Sequence, residues 1–213
     1  MLMADIQPRI RVFCVDDHRV MLDGLALLIG RQPDMEVVGA ASSGEASVEM
    51  FQRLRPDVTL MDLQLGSMSG VEAIREIRRF DPNGRIIVLT MYQGDEDIYR
   101  ALAAGATTYL LKDMLSDDLV RVVREVHAGG QPVRPEVAAR LAVRASGPTL
   151  TPREVQVMEL VAQGMRNKEV GAALGISEET AHVHVRNILT KLKVNDRSAA
   201  VTVALRRGII HLQ

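Results

Sequence analysis

The chain has 213 residues, which is enough for one large domain or two small ones, and its 47% hydrophobic and 25% charged residues are typical of a globular protein. The single cysteine, Cys14, excludes a disulfide within the chain. No apolar segment approaches the length of a membrane span, and the first residues lack the apolar core of a signal peptide. We therefore expect a cytoplasmic protein that does not bind a membrane.

Charge is distributed unevenly along the chain. From Thr149 onward there are 9 basic against 6 acidic residues, whereas the preceding part has 17 basic against 21 acidic residues. An acidic N-terminal part and a basic C-terminal part predict two modules with different partners. The imbalance is too small to predict nucleic-acid binding by itself.

Strand and helix patterns alternate through the first module. The predicted strands are Ile10–Val15, Val37–Ala41, the run from Val58 that ends at Asp62, Arg85–Thr90 and Thr108–Leu111. The predicted helices are Val20–Ile29, Glu45–Leu54, Val71–Ile77, Asp95–Ala104 and Leu115–Val126. Such alternation with short turns predicts an α/β doubly wound fold, in which helices cover both faces of a five-stranded parallel sheet.

Polar side chains stand at the ends of four of these strands. They are Asp16 and Asp17, then Asp62, Thr90 and Lys112. Each has an ordinary explanation when taken alone, such as a helix cap, a strand-end threonine or a surface lysine. Because parallel strands end at the same edge, where open α/β sheets bind ligands, we expect all five to converge.

The chemistry of that edge follows from its charges. Two carboxylates about 4 Å apart repel each other by on the order of 4 kcal/mol at an effective dielectric constant near 20. A divalent cation relieves this repulsion, and an oxygen-only site with few protein ligands suits Mg²⁺. Lys112 and Thr90 could then bind phosphoryl oxygens. Asp62, at the centre, is the natural nucleophile and would form an acyl phosphate.

Four motifs resemble the receiver domain of response regulators over residues 9 to 129. They are Val15–His18, Leu60–Leu63, Leu89–Met91 and Gly105–Asp113. The resemblance implies the flavodoxin-like version of the predicted fold and phosphorylation of Asp62 by a sensor histidine kinase.

The resemblance also implies a metal site and a switch. Asp16, Asp17, Asp62 and the backbone at Gln64 would hold Mg²⁺. Thr90 and Tyr109 would reorient when the phosphoryl group arrives.

The loop after Asp62 departs from the family pattern. Leu65–Gly66 stands where the family has Met-Pro, and Ser69–Gly70 stands where it has Asp-Gly. Losing proline removes a restraint on φ and glycine adds freedom, so we expect a looser loop and an altered lifetime of the phosphoryl group.

Two clusters of helix-breaking residues separate the modules. They are Gly129–Pro135 and Ala145–Pro148, and a helix is predicted between them over Glu136–Arg144. We therefore predict a first domain over 1–129, a linker over 130–148 and a second domain over 149–213.

Cap and turn residues predict that the second domain is all-α. Thr151 followed by Pro152 begins one helix, a short helix over Lys168–Leu174 ends before a glycine, and Ser177 caps a longer helix over Glu178–Lys193. A short helix, a tight turn and a longer helix indicate a helix-turn-helix.

The longer helix has two faces. Ala181, Val185, Ile188 and Leu192 share one stripe and should be core. The remaining surface suits the major groove of DNA, although a solvated charged face would have the same pattern. We predict DNA contacts for His182, Val183, Arg186, Asn187, Thr190, Lys191 and Lys193.

Residues 149 to 212 resemble the LuxR-type helix-turn-helix of the NarL/FixJ response regulators. Three motifs carry the resemblance: Leu150–Glu154, Asn167–Val170 and Thr180–Val185. It implies that positions 182, 183 and 186 read DNA, with His182 in place of the usual lysine. It also implies a dimer contact on the last helix, predicted over Ser198–Arg207, through Val201, Ala204 and Leu205.

Together these expectations describe a DNA-binding response regulator that is not an enzyme, is switched by phosphorylation of Asp62 and is a homodimer when active. The main alternative is a DNA-binding regulator controlled without phosphorylation, by a protein partner or by dimerisation. A third is a phosphatase with an aspartyl nucleophile, which would require a second aspartate where Gln64 stands.

Overall fold

The computed structural model describes residues 8–91, 94–112, 117–132 and 135–211. These residues divide into two compact units, one within 1–91 and 100–135, the other within 92–99 and 136–213. None of the described helices is long and apolar enough to cross a membrane.

The first unit is built on a parallel sheet of five strands in the order β2-β1-β3-β4-β5. The strands are β1 (Ile10–Val15), β2 (Met35–Ala41), β3 (Val58–Met61), β4 (Ile86–Thr90) and β5 (Thr108–Leu111). This is the doubly wound, flavodoxin-like order, so the predicted fold class is confirmed. All four residues of β3 are buried, as its unbroken apolar run predicts.

Five helices follow the strands. They are α1 (Arg19–Gly30), α2 (Gly44–Leu54), α3 (Gly70–Phe80), α4 (Asp95–Ala103) and α5 (Asp117–His127). The predicted end of α3 at Ile77 was three residues short, because Ile77 is the last buried residue of the helix and the three residues after it are not buried. The start predicted for α5 at Leu115 lies outside the described residues.

The helices bury both faces of the sheet. On one face, Val12 and Leu60 belong to a cluster that also contains Ile29 of α1 and Val123 of α5. Alternate strand residues such as Phe13 point to the other face and are also buried. The polar strand ends therefore lie at the edge of a sheet whose two faces are both buried.

The loop after Asp62 contains a left-handed turn and leads into a capped helix. Gly66 has a φ of 81°, a left-handed value that proline cannot adopt. A Cβ atom at Gly70 would overlap the carbonyl oxygen of Asp62. Ser69 caps α3, because its Oγ accepts a hydrogen bond from the backbone N–H of Glu72, and the Glu72 carboxylate accepts one from the Ser69 N–H. Gly66 therefore forms a turn that proline could not form, and Ser69 caps the helix that follows; the looser loop and the altered phosphoryl lifetime stay predictions.

The second unit is helical. Besides residues 95–99 of α4, it contains the helices α6 (Pro135–Ser146), α7 (Pro152–Ala162), α8 (Asn167–Leu174), α9 (Glu178–Leu192) and α10 (Arg197–Arg206). The predicted caps are present: Thr151 forms a capping box with Glu154, and the side chain of Ser177 accepts a hydrogen bond from the Thr180 N–H. Helix α9 ends one residue earlier than predicted, because Lys193 adopts a left-handed φ of 56°.

Candidate functional sites

Asp16 and Asp62 lie side by side because of the register of the sheet. Val15 pairs with Met61 across β1 and β3, so the residues that follow them are neighbours. The N–H of Asp62 donates a hydrogen bond of 2.9 Å to the carbonyl of Val15. Asp16 is 1% exposed and Asp62 3% exposed. The sheet therefore holds two carboxylates next to each other, away from water.

Lys112 enters this site from the end of β5. Its Nζ lies 2.6 Å from Oδ2 of Asp16 and 2.7 Å from Oδ2 of Asp62, and the residue is 7% exposed. Without this cation the two buried carboxylates would be uncompensated, which is costly in a protein interior. Lys112 therefore binds both acids at once.

The other carboxylate oxygens are also engaged. Oδ1 of Asp62 accepts a hydrogen bond from the N–H of Leu63 at 2.7 Å, and Oδ1 of Asp16 accepts one from the N–H of His18 at 2.9 Å. Helix α1 has its cap at His18, so neither Asp16 nor Asp17 caps it. The ordinary explanation of these aspartates as helix caps therefore does not apply.

The solvent side of the pocket is formed by Asp17 and His18. Both are exposed, and His18 Nδ1 lies 2.7 Å from Oδ1 of Asp17. Ligand atoms of Asp16, Asp17, His18 and Asp62 lie within 4.8 Å of one another, and three of the four residues offer carboxylate oxygens. This donor set fits a hard divalent cation such as Mg²⁺, which prefers oxygen ligands. Sequence reasoning missed His18, whose one signal is its position directly after two aspartates.

Burial and charge act in opposite directions on the two ends of the ion pair. Burial raises the pKa of Asp62, and the ammonium of Lys112 offsets only part of this rise. Burial lowers the pKa of Lys112, but its hydrogen bonds to Asp16 and Asp62 outweigh burial, and the pKa is raised. Lys112 therefore stays a cation, and a second cation next to Asp62 would favour its carboxylate form.

The remaining predicted residues of this edge are Thr90, Tyr109 and Gln64. Thr90 ends β4, between the strands that carry Asp62 and Lys112, and is fully buried. Tyr109, in β5 next to β4, is 1% exposed, and its reorientation on phosphorylation stays a prediction. Gln64 is half-buried in the loop, two residues after Asp62.

Helix α9 separates into the two predicted faces. Ala181, Ile188 and Leu192 are buried in the core of the helical unit, and Val185 packs against it. Val183 is half-buried. The exposed residues among the predicted DNA contacts are His182, Arg186, Asn187, Thr190 and Lys193.

Lys191 differs from the other predicted DNA contacts. Its Nζ lies 2.6 Å from Oε2 of Glu154, a residue that is 4% exposed. Burial raises the pKa of Glu154, but its hydrogen bonds with Lys191 and Thr151 outweigh burial, so the pKa is lowered. The ammonium of Lys191 therefore compensates a buried carboxylate.

The predicted dimer contact on α10 is partly internal. Ala204 is fully buried, and Val201 and Leu205 are half-buried and pack against the same core. Ala204 therefore has no surface to offer a second chain, and only Val201 and Leu205 retain some.

Comparison with known proteins covers both units. The family model described as the response regulator receiver domain matches residues 12–124, and that of the bacterial regulatory proteins of the luxR family matches residues 148–204. The transcriptional regulatory protein LiaR of Bacillus subtilis is 38% identical over 210 residues, which are 95% of this chain and 100% of LiaR.

Two solved structures have a similar fold over nearly the whole chain. The crystal structure of the response regulator ChrA of a heme-sensing two-component system is 33% identical, covers 96% of this chain and 100% of ChrA, and has a TM-score of 0.58. A structure of two RcsB dimers bound to two parallel DNAs is 25% identical, covers 93% of this chain and 98% of RcsB, and has a TM-score of 0.66.

The stability of the acidic pocket should depend on Asp62 and on Mg²⁺. The pKa of Asp62 is raised in the folded state, so protonation of Asp62 stabilises the fold at low pH. This stabilisation is lost as the pH rises through that pKa. We expect Asp62→Asn to raise the melting temperature at pH 7, with a difference that shrinks on acidification. Mg²⁺ at 100 times its dissociation constant should stabilise the wild type by about 2.7 kcal/mol, and Asp62→Asn by less.

The control is Asp23→Asn, which changes an exposed aspartate of α1 and should leave both effects intact. Thermal unfolding at several pH values, with and without Mg²⁺, measures them. A variant Asp62→Asn that melts below the wild type at pH 7 would contradict this electrostatic description.

Lys191 and Lys193 should have separable roles. Lys191→Met leaves the buried carboxylate of Glu154 without its cationic partner and should lower the free energy of unfolding by about 1–3 kcal/mol. Lys193→Met should leave stability unchanged. It should remove about one phosphate contact, so the slope of log affinity against log salt concentration should fall by about one. Urea unfolding and a salt titration of DNA affinity measure both; equal stabilities of the two variants would refute the assignment.

Proposed function

The chain belongs to the response regulators, with a receiver domain and a LuxR-type DNA-binding domain, and from this we propose that phosphorylation of Asp62 by a sensor histidine kinase controls how it binds double-stranded DNA. The prediction of a DNA-binding transcriptional regulator, not an enzyme such as a phosphatase, is confirmed by these matches. The observation that supports the phosphorylation site most strongly is the contact of Lys112 with the buried carboxylates of Asp16 and Asp62.

The phosphoryl group would be transferred by direct displacement. A carboxylate oxygen of Asp62 attacks phosphorus, the new O–P bond forms, and the N–P bond to the kinase histidine breaks. Asp16, Asp17, Asp62 and the backbone at Gln64 would hold Mg²⁺, which would supply positive charge to compensate the carboxylates and the incoming phosphoryl group.

Lys112 and Thr90 would complete the phosphoryl site. Oδ2 of Asp62 accepts a hydrogen bond from Lys112 at 2.7 Å, and a phosphoryl oxygen would take over this acceptor role. Thr90, at the neighbouring strand end, would donate its hydroxyl proton to another phosphoryl oxygen. Phosphorylation would thus exchange the contacts of Lys112 and reorient Thr90 and Tyr109.

We assign DNA recognition to the exposed side of α9. His182, Val183, Arg186 and Asn187 lie in the first half of the helix and would approach base edges in the major groove. Thr190 and Lys193 would contact the backbone near its end. Lys191 would serve the fold through Glu154.

Dimerisation would set the spacing of the DNA sites. Val201 and Leu205 of α10 are the surface candidates for the contact between two chains. A two-fold dimer would bind two half-sites related by inversion. We keep the predicted boundaries at 1–129, 130–148 and 149–213, and place the protein in the cytoplasm with its DNA.

One observation favours a second candidate function, a DNA-binding regulator that does not need phosphorylation. The loop after Asp62 departs from the family pattern at Gly66 and Ser69, and Gly66 has a φ of 81° that the family's proline could not adopt. In that case dimerisation or a protein partner would control DNA binding.

A phosphoryl donor distinguishes the two functions. Acetyl phosphate with Mg²⁺ should add one phosphoryl group to the wild type and none to Asp62→Asn, as measured by intact mass. The phosphorylated wild type should bind DNA about ten-fold more tightly, within the range of ordinary allosteric coupling. Lys112→Met should lose most of this gain, because it lacks the ammonium that joins Asp62 to the rest of the site.

The matched control is Asp23→Asn, which should behave as the wild type. Equal DNA affinities of phosphorylated wild type, untreated wild type and Asp62→Asn would support the second candidate instead.

A further inference from the structure

Three side chains from three helices form a chain of contacts that leads to the exposed face of α9. Arg197 begins α10, Asn167 begins α8, and His182 lies in the first half of α9. Nη1 of Arg197 donates a hydrogen bond of 3.2 Å to Oδ1 of Asn167. Nδ2 of Asn167 lies 3.4 Å from Nδ1 of His182, a long hydrogen bond.

Arg197 determines which way the amide of Asn167 faces. A guanidinium only donates hydrogen bonds, so the carbonyl oxygen of the amide must face it. Arg197 is itself held by the carbonyl of Met165 and is partly buried. The NH₂ group of Asn167 is therefore the one that faces His182.

The amide in turn selects one form of the imidazole. An NH₂ group only donates, so Nδ1 of His182 must be the acceptor and cannot carry a proton. The ring proton is then on Nε2. The exposed nitrogen of His182 is thus a hydrogen-bond donor and cannot act as an acceptor.

From this geometry we infer that Asn167 is a positioning residue for DNA recognition, and that His182 reads a hydrogen-bond acceptor on a purine edge in the major groove. This rests on the proposed contact between α9 and DNA. Guanine presents two such acceptors, N7 and O6, which favours it over adenine and thymine with one each, N7 and O4, whereas cytosine presents a donor there. A lysine at position 182 would also be a pure donor, so the chemistry of the contact would be the same with a different side chain.

The tautomer can be measured without DNA. In the full chain at mildly alkaline pH, ¹⁵N NMR of the His182 ring, assigned with His182→Gln, should show a protonated Nε2 and an unprotonated Nδ1. Asn167→Ala should give a mixture of the two tautomers. Asn195→Ala, a change of an exposed asparagine in the turn before α10, should keep the wild-type spectrum. A protonated Nδ1 in the wild type, or a spectrum that Asn167→Ala does not change, would overturn the inference.

The base contact is tested with duplexes selected from a random-sequence pool by the wild type. Replacing purines of the selected sequence by 7-deazapurines should weaken binding about five-fold at one position, and His182→Glu should remove the preference there. Binding affinity could instead be unaffected by 7-deazapurines and fall only when neutral methylphosphonate links replace phosphates. That result would mean that His182 contacts a phosphate, and it would overturn the base contact.

A double-variant comparison separates positioning from a purely structural role. Asn167→Ala should lower the preference for the selected base in the wild-type background but not in the His182→Lys background. A lysine ammonium donates hydrogen bonds without a neighbouring residue to fix the position of its protons. An equal loss in both backgrounds would make Asn167 structural and contradict the inference. If the wild type selects no sequence from the pool, the proposed DNA contact of α9 fails, whatever the tautomer.

Discussion

The interaction on which the receiver unit depends is the contact of one lysine with two buried aspartates. The parallel register of β1 and β3 brings Asp16 and Asp62 together, and Lys112 reaches both from the end of β5. Such a cluster adds little net stability, since desolvation of the charges offsets their attraction. Because Lys112 contacts both acids, a cation or a phosphoryl group that enters the site would change the contacts of the lysine.

The helical unit uses charge in a different way. An ion pair between Glu154 and Lys191 joins the start of α7 to the end of α9. Arg186 on α9 and Lys193 directly after it are exposed and lie outside the core stripe. The basic residues of this segment therefore differ: Lys191 pairs with a buried carboxylate, whereas Arg186 and Lys193 lie on the surface proposed to contact DNA.

Much of the fold was predictable, because it follows from local patterns. Apolar runs that end in a carboxylate predicted β1 and β3, and a threonine followed by proline predicted the start of α7. The convergence of Asp16, Asp62 and Lys112 followed from one rule, that parallel strands end at the same edge. These predictions needed no knowledge of side-chain contacts.

The details that decide chemistry depended on contacts between residues distant in sequence. The pairing of Lys191 with Glu154 spans 37 residues and could not be distinguished from a free surface lysine. Gly66 was expected to loosen its loop, but its role depends on a backbone angle that the sequence does not encode by itself. The burial of Tyr109 and the approach of Asn167 to His182 are likewise products of packing.

The most direct test of the central claim is a crystal structure of the protein with Mg²⁺ and beryllofluoride, which mimics a phosphoryl group. The account predicts beryllium bonded to a carboxylate oxygen of Asp62, Lys112 Nζ within hydrogen-bond distance of a fluoride, and Mg²⁺ on Asp16 and Asp17. Beryllofluoride on another residue, or Lys112 still joined to Asp62 and turned away from the fluorides, would contradict it.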